Sequence, residues 1–204
     1  MGAWTVFDIE TTGKSKFTAN PLTFGYMRID DSFSRVLEAG TLHFWRPEWY
    51  IEPDATRVNG LTRNYMAQFE GEFDENFAKL FALLYNGNVV TKNGVNFDVP
   101  LLTNFIAREL RGVKIAPFKI AKHLDLQVEY APIFREHLRK QGINPGKRQG
   151  TLEELCEMEG FDEPWLKEMF AKRFPDEGYA HAHGALFDTY MTYMLAKRWL
   201  YNYT

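Results

Sequence analysis

The sequence predicts an α/β protein with one mixed β-sheet and helices packed on its faces. Two observations predict this class. Short segments rich in β-branched and aromatic residues fill residues 3–45, and apolar residues at helical spacing recur over residues 75–201. The length is 204 residues, of which 45% are hydrophobic and 16% aromatic, which is enough for one sizeable core. We therefore expect a single domain over residues 1–204.

Three strands are predicted first, each rich in residues that favour β-structure. They cover residues 3–9, 22–29 and 36–45. Thr12 and Gly13 end the first strand, and the polar run 30–32 joins the second and third strands as a hairpin. Together the three strands predict an antiparallel meander. A long irregular segment is expected next, over residues 46–62.

Helices dominate the rest of the chain. Residues 75–85 place Phe77, Leu80, Phe81 and Leu84 on one face of a helix. Thr151 begins a later helix, with Glu154 three residues on in a capping-box pattern. Further helices are predicted at 99–110, 128–140, 164–172 and 185–201, and further strands at 88–92 and within 119–126.

Composition limits the possible functions. The formal net charge is −3, whereas a protein that binds nucleic acid by general electrostatics should be basic. Cys156 is the only cysteine, which excludes an intramolecular disulfide and an all-cysteine zinc site. No apolar run approaches about 18 residues, and Asp8 and Glu10 interrupt the apolar run near the start. We therefore expect no membrane span and no signal peptide, but a soluble cytoplasmic protein.

Two carboxylates share one face of the first predicted strand. Side chains two apart in a strand point the same way, so Asp8 and Glu10 lie together while Phe7 and Ile9 face the opposite side. Adjacent buried carboxylates repel each other, and a divalent cation between them relieves that repulsion. Oxygen ligands suit Mg²⁺ or Mn²⁺. The alternative is an edge strand whose two acids face water.

Two further acids lie where loops enter helices. Asp98 precedes Pro100 and could cap its helix, offer an oxygen to a metal, or both. His183 and Asp188 are five residues apart, about 140° around a helix, so His183 is expected in the loop and Asp188 in the first helical turn. The alternatives are an ordinary loop histidine and a surface acid that complements the helix dipole. His181 competes with His183.

Three motifs occur in a fixed order along the chain. They are FDIETTG at residues 7–13, NGVNFDVPLL at 93–102 and HGALFD at 183–188. In this order they resemble the motifs of the DEDDh 3′–5′ exonucleases, a family that includes the proofreading subunit of bacterial DNA polymerase III and the three-prime repair exonucleases. The segment VNGLT at 58–62 and Asp125 fit the same family. The chain departs from the common pattern at Lys92, where many members have histidine.

The resemblance implies an RNase H-like fold with a five-stranded mixed sheet. It also implies that Asp8, Glu10, Asp98 and Asp188 hold two divalent ions, Mg²⁺ or Mn²⁺, and that His183 is the general base. Gly184 supports the assignment of His183 as the base, because the related DEDDy branch would have tyrosine at position 184. The implied reaction releases 5′-mononucleotides from the 3′ end of DNA, with single-stranded or frayed ends favoured. The alternatives are an exonuclease that acts on RNA and an inactive nucleic-acid-binding module.

The resemblance also indicates residues that contact the substrate. Thr11, Thr12 and Gly13 are expected against the terminal nucleotide. Leu61 and Phe97 pack either on the terminal bases or in the core.

Other groups bear on nucleic-acid binding. An aromatic cluster is either a base platform or a hydrophobic anchor, the latter being favoured: Trp45, Trp49 and Tyr50. A basic group either tracks the phosphate backbone or is a solvated face: Arg135, Arg139, Lys140, Lys147 and Arg148. Two bound divalent ions would turn the net charge positive, so the acidic composition no longer excludes nucleic acid. Expected partners are DNA or RNA and a DNA polymerase or another replication or repair protein.

Overall fold

The computed structural model describes residues 2–113, 119–175 and 184–203. Its five strands are β1 (Trp4–Thr11), β2 (Pro21–Ile29), β3 (Val36–His43), β4 (Asn88–Thr91) and β5 (Lys122–Asp125). They form one sheet in the order β3-β2-β1-β4-β5. The first three strands are antiparallel, whereas β4 is parallel to both β1 and β5. The predicted mixed sheet and its antiparallel meander are confirmed.

The described helices account for every predicted helix. They are α1 (Pro53–Asn59), α2 (Arg63–Met66), α3 (Phe73–Leu84), α4 (Asp98–Glu109), α5 (Leu126–Lys140), α6 (Leu152–Met158), α7 (Glu163–Arg173) and α8 (Ala185–Tyr203). A 3-10 helix, Ala67–Glu72, joins α2 to α3. The capping box at α6 forms as predicted: Thr151 accepts the backbone N–H of Glu154, whose carboxylate accepts the N–H of Thr151.

The prediction of an irregular segment over residues 46–62 is wrong in its second half, where α1 forms. Pro53 lies in the first turn of α1, where its missing N–H costs nothing, and Asp54 complements the helix dipole. Gly60 ends the helix in a left-handed conformation. The proline and glycine that suggested a loop are therefore the two end signals of a short helix.

The sheet separates two apolar cores, and alternate residues of β1 point into each. Val6 packs with α5, α6, α7 and α8 on one side. Phe7 and Ile9 pack with α3 and α4 on the other side. Asp8 and Glu10 share the face of Val6, because side chains along a strand alternate. Both acids therefore point toward the side of the sheet that α8 covers.

The aromatic cluster anchors the segment after β3. Trp45 and Trp49 are buried, and Trp49 packs edge-on against Phe73 and Phe105. Tyr50 is 72% exposed. The hydrophobic-anchor interpretation therefore fits the two tryptophans. Within the described ranges, no helix combines the length and apolar character needed to cross a membrane.

Candidate active site

Three acidic side chains converge between β1 and α8. One carboxylate oxygen from each of Asp8, Glu10 and Asp188 can be chosen so that all three lie within 4.8 Å of one another. Asp8 and Glu10 come from β1, and Asp188 comes from the first turn of α8. All three residues are partly exposed. The structure thus brings together acids from opposite ends of the sequence.

Gly25 is the reason that α8 can reach β1. It lies opposite Asp8 in the β1–β2 ladder. A Cβ atom at Gly25 would lie 2.3 Å from the carbonyl carbon and oxygen of Ala185, a distance that no side chain tolerates. The hydroxyl of Thr189 also hydrogen-bonds the carbonyl oxygen of Gly25 at 3.0 Å. The first turn of α8 is therefore seated directly on β2, and Asp188 comes next to Asp8.

Asp98 is the fourth predicted acid, and it lies outside the set of three. It is the first residue of α4 and only 7% exposed. Its interpretation as an N-cap is corrected, because Phe97 holds the N-cap position and Asp98 lies within the first turn. The charge of Asp98 nevertheless raises the pKa of Asp8 and of Glu10. Asp98 therefore belongs to the same electrostatic site.

Asp125 fixes the loop that leads to Asp98. Its carboxylate accepts three backbone N–H groups, from Asn93 at 2.8 Å and from Val95 and Gln127 at 2.9 Å each. Asn93 has a positive φ of 67°, which a free chain disfavours. The loop before α4 is thus attached to the end of β5. Sequence reasoning noted Asp125 but did not assign it this role.

Burial raises the pKa of each of the four acids, and it is the largest cause in every case. The pKa of Asp8 is well above its usual range, and that of Glu10 is about 8. The charge of Asp188 is the next largest cause for both residues. The pKa of Asp98 and that of Asp188 are each about 7. Near neutral pH the site therefore gains stability from protons or from a bound cation.

Asp188 carries the clearest sign of a cation site. Its Oδ1 atom is buried and has no hydrogen-bond partner among the described residues. The only other such side-chain oxygen there is that of Thr23, which lies opposite Glu10 in the β1–β2 ladder. A buried carboxylate oxygen without a donor is costly unless a proton or cation neutralises it. Carboxylates alone form an oxygen donor set that suits Mg²⁺ or Mn²⁺, so the residues present fit a divalent ion.

Asn59, at the end of α1, supports the site in a way that sequence reasoning missed. Its side-chain nitrogen donates to the carbonyl oxygen of Thr11 at 3.2 Å, and its oxygen accepts the N–H of Leu61 at 2.9 Å. A hydrogen bond from Asn59 to Glu10 also opposes the rise in the pKa of Glu10. The segment VNGLT was noted in the sequence, but its helix was not predicted.

The predicted nucleotide-binding residues lie beside the acids, and each has contacts within the chain. The hydroxyl of Thr11 donates to the carbonyl oxygen of Gly13 at 2.7 Å, and that of Thr12 accepts the N–H of Asn20 at 2.9 Å. A Cβ atom at Gly13 would meet the carboxylate of Glu52 at 2.2 Å. Nucleotide contact by Thr11, Thr12 and Gly13 stays a prediction.

Leu61 and Phe97 are partly buried against the apolar core that α3 and α4 cover, and each keeps some exposed surface. Their stacking on bases stays a prediction.

The two candidate bases, His183 and His181, lie outside the described residues. The basic group is partly neutralised, because Arg139 pairs with Glu136 at 3.2 Å and Arg148 pairs with Glu154. Lys140 and Lys147 are exposed. Phosphate contact by this basic group stays a prediction.

Solved structures of exonuclease I share this fold. A zinc-bound complex of Escherichia coli exonuclease I with single-stranded DNA has a TM-score of 0.72 at 22% identity, over 100% of this chain and 41% of that one. A moderately thermophilic exonuclease I from Methylocaldum szegediense gives a TM-score of 0.71 at 20% identity, over 100% of this chain and 41% of that one. A complex described as ExoI/SSB-Ct gives 0.69 at 20% identity, over 100% and 42%.

These similarities confirm the predicted RNase H-like fold class. The chain spans about two fifths of the length of the structures it matches. No family model matches the chain, and no curated protein sequence matches it.

Proposed function

We propose that this chain is a metal-dependent 3′–5′ exonuclease, a single domain over residues 1–204 that releases 5′-mononucleotides from the 3′ end of single-stranded DNA. One observation carries the proposal: the buried, unpartnered oxygen of Asp188 lies in a cluster with Asp8 and Glu10, on a fold shared with exonuclease I. The carboxylates fit a cation, and the fold shared with exonuclease I supports nucleic-acid hydrolysis as the reaction.

The proposed chemistry divides between the acids and one histidine. Asp8, Glu10, Asp98 and Asp188 hold two divalent ions, Mg²⁺ or Mn²⁺. When bound, these ions supply Lewis acidity and favour a nucleophilic water near neutral pH. His183 takes the proton from the attacking water, because an imidazole with a pKa near 6.5 can accept a proton at the working pH.

The neighbouring structures favour DNA over RNA as the substrate, since they include complexes of exonuclease I with single-stranded DNA and with a dA16 oligonucleotide. Leu61 and Phe97 offer apolar surface to the terminal bases, and such stacking tolerates any base sequence. An exoribonuclease is the alternative within the same chemistry.

Matched DNA and RNA oligonucleotides, labelled at the 5′ or at the 3′ end, test the proposal. A 3′–5′ exonuclease shortens a 5′-labelled strand one nucleotide at a time, and it releases the label of a 3′-labelled strand first. We expect this pattern on single-stranded DNA with Mg²⁺ or Mn²⁺, and no cleavage with EDTA. Metal-independent cleavage, or release of a 5′ label first, would refute the proposal. Faster digestion of RNA would select the alternative.

We also propose a protein partner that handles single-stranded DNA during replication or repair. One neighbouring exonuclease I structure is a complex with SSB-Ct. A DNA polymerase is the other candidate partner. Fluorescence anisotropy with each labelled candidate protein, measured without DNA, shows which of the two binds this chain.

A further inference from the structure

Lys92 stands at the level of the acidic cluster. It is the first residue after β4, and β4 runs parallel to β1 with Val90 opposite Val6. Lys92 follows Val90 by two residues and Asp8 follows Val6 by two, so both lie toward the same end of the two parallel strands. The side chain of Lys92 is partly buried.

The backbone that carries Lys92 is held in place. Asp125 lies opposite Thr91, the last residue of β4, and its carboxylate accepts the N–H groups of Asn93 and Val95. The residues on both sides of Lys92 are thus fixed by strand pairing and by hydrogen bonds. The position of the Lys92 charge is therefore built into the fold.

The ammonium group of Lys92 interacts electrostatically with several carboxylates rather than with one. Its charge acts to lower the pKa of Asp8, Asp98 and Asp188, against the larger effect of burial. In turn, the charges of Glu153, Asp125, Asp8 and Glu154 favour the charged form of Lys92, whereas its burial lowers its pKa. A charge in this arrangement is a shared counter-ion for the pocket.

We propose that the fixed positive charge of Lys92 shares the carboxylate pocket with the divalent ions and weakens their binding. The inference rests on the proposed function, because it takes the acids as metal ligands. A nearby positive charge repels an incoming divalent ion, and the repulsion is larger where water is partly excluded. Without metal, the same charge offsets part of the repulsion among the four acids.

The identity of the residue matters here. The resembling exonucleases often have histidine before the asparagine at position 93. A neutral imidazole above its pKa would not repel a cation, whereas a charged ammonium group does. The chain therefore has a lysine where a histidine would be neutral at pH 8. Burial lowers the pKa of Lys92, and the charges of Glu153 and Asp125 oppose that effect.

Direct metal binding tests the inference without any nuclease assay. Mn²⁺ binding is measured by electron paramagnetic resonance at pH 8.0, without DNA, on the wild type, Lys92→Met, Lys92→Arg and Lys197→Met. Methionine keeps most of the length of the side chain and removes the charge. Lys197 is exposed on α8, so its substitution is a control for the same change in net charge.

We expect Lys92→Met to bind Mn²⁺ about fivefold more tightly than the wild type, with Lys92→Arg and Lys197→Met within about twofold of it. A gain in affinity is a result that a damaged fold does not produce. Unchanged affinity in Lys92→Met would overturn the inference. Weaker binding would also overturn it and give Lys92 a structural role.

An additional variant separates this result from a failure of the proposed function. If Asp188→Asn binds Mn²⁺ as tightly as the wild type, the proposed metal site itself is wrong. If Asp188→Asn loses binding while Lys92→Met does not gain it, the site stands and the inference about Lys92 alone is wrong. Circular dichroism confirms that each variant is folded.

Discussion

Gly25 on β2 and Ala185 on α8 touch through their backbones, so closely that a Cβ atom on Gly25 would lie 2.3 Å from the Ala185 carbonyl. This contact seats the first turn of α8 beside Asp8, which pairs with Gly25 across the ladder. The missing side chain of one residue thus sets the distance between two catalytic candidates.

Gly25→Ala is expected to displace the start of α8 and to separate Asp188 from Asp8. We expect a loss of about 3 kcal/mol in the free energy of unfolding, since the clash is with backbone, and at least a hundredfold loss of cleavage. Gly40→Ala on β3 is the matched control, because a Cβ atom there meets its nearest neighbour at 3.5 Å. Urea denaturation and the 5′-labelled digest measure the two effects. Equal effects of both variants would contradict the role of Gly25 in seating α8 beside Asp8.

Asp188→Asn is expected to abolish cleavage without destabilising the metal-free protein. The asparagine amide puts a hydrogen-bond donor where the buried carboxylate oxygen of Asp188 lacks a partner. It also removes a negative charge that repels Asp8. We expect activity to fall at least about a thousandfold, while the melting temperature without metal stays equal or rises. Asp8→Ala is likewise expected to be inactive. Asp31→Asn, at an exposed turn position, is the control for charge. Cleavage by pure Asp188→Asn protein would refute the site.

The stability of the metal-free protein is expected to depend on pH. The folded-state pKa is about 8 for Glu10 and about 7 for Asp98 and for Asp188, each above the usual value. The folded protein therefore binds protons more tightly than the unfolded chain. The resulting contribution to the free energy of unfolding is fully present below about pH 4 and is lost as the pH rises to about 8. In EDTA we expect the melting temperature to fall by about 5 °C or more between pH 5 and pH 9. Saturating Mn²⁺ should reduce the fall, and an equal fall with metal would contradict the model of a cation at these acids.

Asp125→Ala is expected to release the loop that carries Asp98. Three backbone N–H groups lose their acceptor, at a cost of about 2–4 kcal/mol. Asp125→Asn keeps one side-chain oxygen, so it should lose less stability. Hydrogen exchange at Asn93 and Val95 measures the release directly. Unchanged exchange there in Asp125→Ala would show that other contacts hold the loop.

Local patterns in the sequence predicted most of the fold. The strand alternation around Asp8 and the capping residues at Thr151 act within a few residues of the chain, so both were readable. The same local view misread α1, because Pro53 and Gly60 occur in loops and at helix ends alike.

The site was predictable only in part. Motif order selected the four acids as candidates, but the contacts of Gly25 and Asp125 depend on which strands and helices become neighbours. Asn59 reaches Glu10 from a helix that the sequence did not indicate. Such roles arise from contacts between distant segments, which spacing along the chain does not encode.

The hydrogen bond from Thr189 to Gly25 joins residues 164 positions apart, and this separation has a consequence for folding kinetics. The β1–β3 meander closes short loops, whereas the docking of α8 closes the longest one and should come late. We therefore expect the repulsion among the acids to be met late in folding, after the main barrier. A cation that relieves it should slow unfolding far more than it speeds refolding, so that bound metal mainly prolongs the lifetime of the folded chain.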